Sequence, residues 1–154
     1  MIAGRVSRRV VMGRLESIEQ LLKRIQALPL DDLHAFQADP RNGDAAESCL
    51  RRSLEALIDA GRHILAKGYG QGVSEYKEVA SALYEQGALT EEEARLLGTL
   101  AGYRNRLVHF YDEVSAEELY EICTHQLADI KRIGSAYRRW LEQHPDKLDL
   151  PAGE

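Results

Sequence analysis

In the stretch Tyr103-Arg104-Asn105-Arg106-Leu107-Val108-His109-Phe110-Tyr111-Asp112, an arginine, a histidine and a tyrosine occupy positions that a helix normally gives to packing residues. These side-chain types suit anion binding and proton transfer. Arg104 carries a permanent positive charge that can hold phosphate or carboxylate oxygens. At a helix C-terminus the dipole would stabilise the protonated form of a histidine such as His109, which helps a histidine serve as a general acid near neutral pH. A helix starting just beyond the stretch would offer free amides to a phosphate.

The element that must position these groups is visible upstream. Leu97, Leu100, Arg104, Leu107 and Tyr111 recur at intervals of three and four, one face of an amphipathic helix. Arg104 interrupts that apolar stripe, so the face must meet a charge partner, a ligand or a cleft between subunits. On one continuous helix Arg104 and His109 would lie about 140° apart around the axis and about 7.5 Å along it, too divergent to aim at one atom. Either the helix unwinds before His109, or the groups converge from two subunits about a two-fold axis. The plain structural alternative is that Arg104 pairs with a carboxylate such as Asp59 or Glu55, while His109 and Tyr111 only pack.

The rest of the chain supplies a scaffold. Val11, Leu15, Ile18, Leu22 and Ile25 mark a first long helix, rich in arginine outside and ended by Pro29. Residues 30–38 hold a short helical piece at best. Asp39-Pro40 reads as an N-cap followed by a first-turn proline. The second long helix that follows carries Ala46, Cys49, Leu50, Leu54, Leu57, Ile58, Ile64 and Leu65, with Gly61 suggesting close approach of a neighbour and Gly68 placed as a left-handed cap. The glycine-rich run 68–72 lacks the lysine, Ser/Thr and preceding strand of a phosphate-binding loop, and reads as a flexible connection. Ser74 can cap a short third helix ending at Gly87. Capping boxes at Thr90–Glu93 and Ser115–Glu118 start a fourth and a fifth helix, with Leu89 and Val114 as hydrophobic staples. The fifth keeps four-three spacing through Leu119, Cys123, Gln126, Ile130, Ile133, Tyr137 and Trp140 until Pro145. The expected fold is all-α, an antiparallel bundle of four long helices plus a short one. It forms a single domain over 1–154, with its core at about 10–143 and a polar tail from 145 to 154.

Composition narrows the classes. A chain of 154 residues can bury a core without staples, removing roughly 68–70% of its unfolded surface from water. The two cysteines, Cys49 and Cys123, are far apart and lie on apolar faces, which points to reduced, buried thiols rather than a disulfide framework. No apolar run suffices for a membrane span, and Val10-Val11-Met12 is too short for a signal-peptide core, so the expected compartment is the cytoplasm. A formal net charge of −5 argues against general coating of polyanions and requires a local basic patch for any nucleic-acid contact. His34, His63, His125 and His144 show no metal-ligand spacing, and Glu91-Glu92-Glu93 is explained by the helix dipole and capping box, so no metal and no cofactor are assigned.

Arg104-Asn105-Arg106-Leu107-Val108-His109-Phe110-Tyr111 resembles the HEPN superfamily, and within it the HepT toxins of bacterial and archaeal toxin–antitoxin operons. HEPN ribonucleases have an arginine, a polar residue directly after it and a histidine four to six residues beyond the arginine. HepT proteins add a tyrosine two residues past the histidine. Arg104, Asn105, His109 and Tyr111 fit each position. The resemblance covers roughly residues 10–143, including Ala46-Glu47, Leu54 to Asp59, His63 to Ala66 and Tyr76.

The resemblance implies a HEPN-like bundle that is a metal-independent endoribonuclease and dimerises through its motif-bearing helices, lining one cleft with both copies of Arg104 and His109. An RNA 2′-hydroxyl then attacks its own phosphodiester. His109 is the candidate for proton transfer, and positioned acid–base groups typically contribute about 10²- to 10⁴-fold. Arg104 would hold the phosphate and Asn105 would orient the histidine or the substrate. The implied partner is a minimal nucleotidyltransferase antitoxin of the MntA kind, which in such systems attaches AMP to the motif tyrosine, here Tyr111. The alternative from another class is a non-catalytic HEPN interaction module that binds a nucleotidyltransferase or a nucleotide.

Overall fold

Capping chemistry sets most of the helix boundaries. The computed structural model describes residues 4–109 and 114–149. Ser7 caps α1 (Arg8–Gln26) through its hydroxyl, and Asp32 caps the single-turn α2 (Leu33–Gln37). Asp39 caps α3 (Pro40–Tyr69), with Pro40 in the first turn as the sequence led us to expect. α4 (Tyr76–Glu85) follows, then α5 (Glu91–Val108), where Thr90 and Glu93 form both halves of a capping box. α6 (Ala116–His125), α7 (Leu127–Gln143) and a 3-10 turn at Pro145–Lys147 complete the order. Among the described residues there is no strand, and no helix is long and apolar enough to cross a membrane.

α3 is the central element, packing against α1, α4, α5, α6 and α7. Its buried Leu50, Leu54, Leu57, Ile58, Ile64 and Leu65 meet Leu22 and Ile25 of α1, Leu97 and Leu100 of α5, and Tyr137 and Trp140 of α7 in one core. Gly61 makes the close approach that its mid-helix position implied. A Cβ there would fall 2.6 Å from the Tyr137 hydroxyl and 2.9 Å from Leu83 Cδ1. Cys49 and Cys123 are free and buried, and burial pushes the Cys123 thiol up to about 12.

Five sequence-based expectations need correction. Gly68 does not cap the second long helix: it is still helical, a Cβ placed on it would lie 3.3–3.4 Å from the Val6 and Trp140 side chains, and the left-handed cap is Gly70 at φ 65°. The run 68–72 therefore opens as helix and cap rather than as a flexible connection. Ser74 does not cap α4; Glu75 stands at that position without a side-chain cap bond, and the preceding loop is tied down by Arg62 Nε donating to the Val73 carbonyl at 3.0 Å. The expected fifth helix is two, broken at Gln126, because α6 packs on α2 and α3 whereas α7 packs on α1, α3 and α5. Lastly, the chain beyond Pro145 is not simply a polar tail. Leu148 is buried and bridges Val6, Asp149 accepts from the Arg8 amide, and the core extends to Val6 and Leu148.

Candidate functional site

α5 presents the candidate residues, and it is anchored well away from them. The Glu93 carboxylate at its N-terminus accepts from both Nη atoms of Arg139 on α7, at 2.6 and 2.8 Å. Leu97, Leu100 and Ala101 are buried against the core. From Gly102 to Leu107 every residue is only partly buried, and Val108 and His109 are exposed. The helix therefore leaves the core as it reaches the motif.

The helix unwinds at His109, one of the two routes the sequence left open. His109 is the C-cap in extended backbone (φ −89°, ψ 124°), while its amide still donates to the Asn105 carbonyl at 3.1 Å. His109 lines an open cleft of about 290 Å³ together with Glu47 of α3, Arg106, Leu107, Val108, Val114 and Leu119. Val114 and Leu119, expected to staple the start of α6, form its apolar side. Ser115 caps α6, but the Glu118 carboxylate turns to Arg106 instead of closing the expected capping box. That carboxyl is consequently held below the usual range.

Arg104 faces α3 and α4. Its guanidinium carbon sits 4.2 Å above the centre of the Tyr76 ring, and Nε lies 3.7 Å from Glu55 Oε1, close enough for an ion pair but too long for a hydrogen bond. Nη1 donates to Asn105 Oδ1 at 3.3 Å. The plain alternative is thus half realised: Glu55 is the carboxylate near Arg104, whereas Asp59 is engaged by Arg62 and the Tyr76 hydroxyl. The arginine side chain keeps 23% of its surface exposed, so it is not sealed in the core. In one chain, Arg106 rather than Arg104 supplies the guanidinium of the His109 cleft. Tyr111 lies outside the described residues.

Glu55 was named from the sequence as a possible partner of Arg104, but Glu47, Arg51, Tyr76 and Glu118 were not named as site participants. Glu47, Arg51 and Glu55 form an i,i+4 ladder along α3, with Arg51 Nε 3.4 Å from Glu47 and Nη1 3.3 Å from Glu55. The ladder runs from the His109 cleft to Arg104, and its spacing was readable in the sequence. Tyr76 and Glu118 were not readable as partners, because both contacts are made between elements. Among the described residues no group of three or more His, Cys, Asp or Glu is placed to hold a metal ion.

Residues 15–136 match the family described as ribonuclease HepT-like. A protein of Shewanella oneidensis named mRNA nuclease HepT is 24% identical over 123 residues, covering 80% of this chain and 92% of that one. A protein of Aphanizomenon flos-aquae named tRNA nuclease HepT is 31% identical over 116 residues, covering 72% and 76%. In three dimensions the chain resembles a tri-AMPylated Shewanella oneidensis HEPN toxin solved in complex with an MNT antitoxin, with a TM-score of 0.76 and 23% identity over 84% of this chain and 97% of that one. Bacillus subtilis YutE, a cytosolic protein of unknown function, is similar at TM-score 0.75 and 20% identity, over 94% and 98%. The structural likenesses establish an all-α HEPN fold.

Proposed function

Because the chain belongs to the HepT-like ribonuclease family, we propose that it is the toxin of a toxin–antitoxin pair and a metal-independent endoribonuclease. The observation that carries this reading is the family match across residues 15–136, which includes Arg104, Asn105 and His109. Its support in the fold is the placement of Arg104 half-buried and His109 on an exposed turn beside a cleft.

The chemistry uses only these side chains and the RNA. The 2′-oxygen forms a bond to phosphorus as the bond to the 5′-oxygen breaks, leaving a 2′,3′-cyclic phosphate and a 5′-hydroxyl. His109 transfers a proton in this step, as base to the 2′-hydroxyl or as acid to the 5′-oxygen. Arg104 balances charge on the non-bridging oxygens, and Asn105, already bonded to Arg104, orients it. Two copies complete the site. Within one chain His109 and Arg104 face different neighbours, and Val108, exposed beside the apolar wall of Leu107, Val114 and Leu119, gives a second copy something to cover.

The antitoxin in this reading is a minimal nucleotidyltransferase that attaches AMP to Tyr111. The support is the structural relative from Shewanella oneidensis, a HEPN toxin that is AMPylated and bound to its MNT antitoxin. Purified protein incubated with total RNA and separated RNA fractions tests the proposal. Cleavage that His109→Ala and Arg104→Ala abolish, in variants with unchanged circular dichroism, is the expected result. A folded His109→Ala dimer with full activity would remove His109 from the mechanism, and a folded wild-type protein that binds a nucleotidyltransferase without cutting RNA would favour the interaction-module reading.

A further inference from the structure

Arg104 is held by a residue outside its own motif. The Tyr76 ring, at the first position of α4, is half-buried and lies under the Arg104 guanidinium at 4.2 Å, with a second guanidinium, Arg62, at 5.6 Å. The ring is itself fixed: its hydroxyl donates to Asp59 Oδ1 at 3.4 Å, Asp59 pairs with Arg62, and Arg62 fastens the loop before α4.

The contacts of Arg104 leave one direction open. One face lies on the ring, the buried Nε faces Glu55 without a hydrogen bond, and Nη1 is taken by Asn105. Nη2 has no partner among the described residues. Glu55 is also shared with Arg51, so it neutralises Arg104 only in part. An arginine held on its face and on one edge has lost most of its rotamer freedom before substrate arrives, which is how a guanidinium is pre-organised for an anion.

We propose that Tyr76 is a positioning residue, its aromatic ring serving as the platform that orients the Arg104 guanidinium toward the scissile phosphate. This rests on the ribonuclease reading and extends it to α4. The ring does the work, and the hydroxyl serves only to steady the ring. A cation over a partly desolvated aromatic face is attracted by the ring quadrupole, and a misaligned arginine loses transition-state contact even when binding survives.

Tyr76→Phe and Tyr76→Leu separate the parts. The Phe variant is expected to keep kcat within about twofold of wild type. The Leu variant is expected to lose about tenfold or more in kcat at a nearly unchanged KM, because the lost contact belongs to the transition state. A second readout does not depend on RNA. The side-chain NεH resonance of Arg104, assigned by its loss in Arg104→Lys, should carry an aromatic ring-current shift that Phe preserves and Leu abolishes. Wild-type cleavage by Tyr76→Leu, or equal losses in the Phe and Leu variants, would overturn the platform role. If the wild-type protein cuts no RNA, the ribonuclease reading fails by itself, and the resonance still decides whether the ring holds the guanidinium.

Discussion

Arg106 and Glu118 meet fork to fork between the last turn of α5 and the first turn of α6, with Nη2 donating to Oε1 at 2.7 Å and Nη1 donating to Oε2. The pair ties the last turn of α5 to the first turn of α6 beside His109. Both side chains are more than one-third exposed, so their charge pairing adds little to global stability.

Glu118→Gln should therefore alter unfolding free energy by less than about 1 kcal/mol. It should still reduce RNA cleavage about tenfold, because small displacements of a proton-transferring group are costly to rate. Urea unfolding and cleavage rates measured on the same preparation check this. A large loss of stability with unchanged specific activity would show the pair to be structural only.

Glu93 gives the fold an acid-sensitive joint. Its carboxyl is lowered from 4.5 to about 2, first by the hydrogen bonds from Arg139, with burial opposing and the Thr90 amide assisting. Below 4.5 the unfolded chain takes up a proton that the folded chain refuses. The stabilisation is therefore complete above that pH and is lost as pH falls through about 2. Its size is on the order of 2–3 kcal/mol at neutral pH, since the Glu93 side chain is only 7% exposed although Arg139 is 40% exposed. Unfolding curves taken from pH 7 down to pH 3 should fall more steeply for wild type than for Glu93→Gln. Parallel curves would place the acid sensitivity elsewhere.

The Tyr137 hydroxyl is fully buried and, among the described residues, has no hydrogen-bond partner. Burial raises its pKa. Tyr137→Phe removes an unsatisfied polar atom from the gap beside Gly61 and should raise stability by about 1 kcal/mol. Gly61→Ala pushes a methyl group into the same gap and should cost about 1–3 kcal/mol. Chemical denaturation of the two single variants tests both signs. Destabilisation by Tyr137→Phe would mean that the hydroxyl has a partner.

Tyr111→Phe tests the neutralisation step. An added AMP brings a negative charge and a nucleoside to a place that must attract RNA phosphate, so modification should silence cleavage. The Phe variant should cleave RNA normally, escape silencing by the cognate nucleotidyltransferase with ATP and magnesium, and lack the AMP mass in intact-protein spectra. A Phe variant that is still modified and silenced would place the acceptor at another residue.

Much of this was legible in the sequence, because caps are local chemistry. Asp39, the Thr90–Glu93 box and Ser115 mark the starts of α3, α5 and α6 through atoms two or three residues apart. The break at Gln126 was not legible. The apolar stripe runs through it without proline or glycine, and the helix divides because Tyr120 of α6 reaches back to the Leu30 carbonyl and the Phe36 ring while α7 turns to follow α1 and α5. Gly68 misled for a related reason: its lack of a side chain serves a helix crossing with Trp140, which local sequence does not encode. At the site, the spacing identified Arg104 and His109 as residues whose directions conflict on one helix, and within one chain they face different neighbours although α5 ends at Val108, Arg104 lying against Glu55 and Tyr76 and His109 lining the cleft with Arg106. It did not identify the Tyr76 platform, since a cation over a ring 28 positions away is a tertiary fact.

Internal attack of the RNA 2′-hydroxyl, aided by the chain's own arginine and histidine, is the proposed reaction. The most direct measurement is the chemistry of the product ends after incubation of purified protein with RNA in excess EDTA. Cleavage is expected under these conditions, with 2′,3′-cyclic phosphate and 5′-hydroxyl termini, and none where the 2′-hydroxyl next to the scissile phosphate is methylated. Cleavage that requires added magnesium and leaves 5′-phosphate and 3′-hydroxyl ends, or that continues at 2′-O-methylated sites, would contradict it.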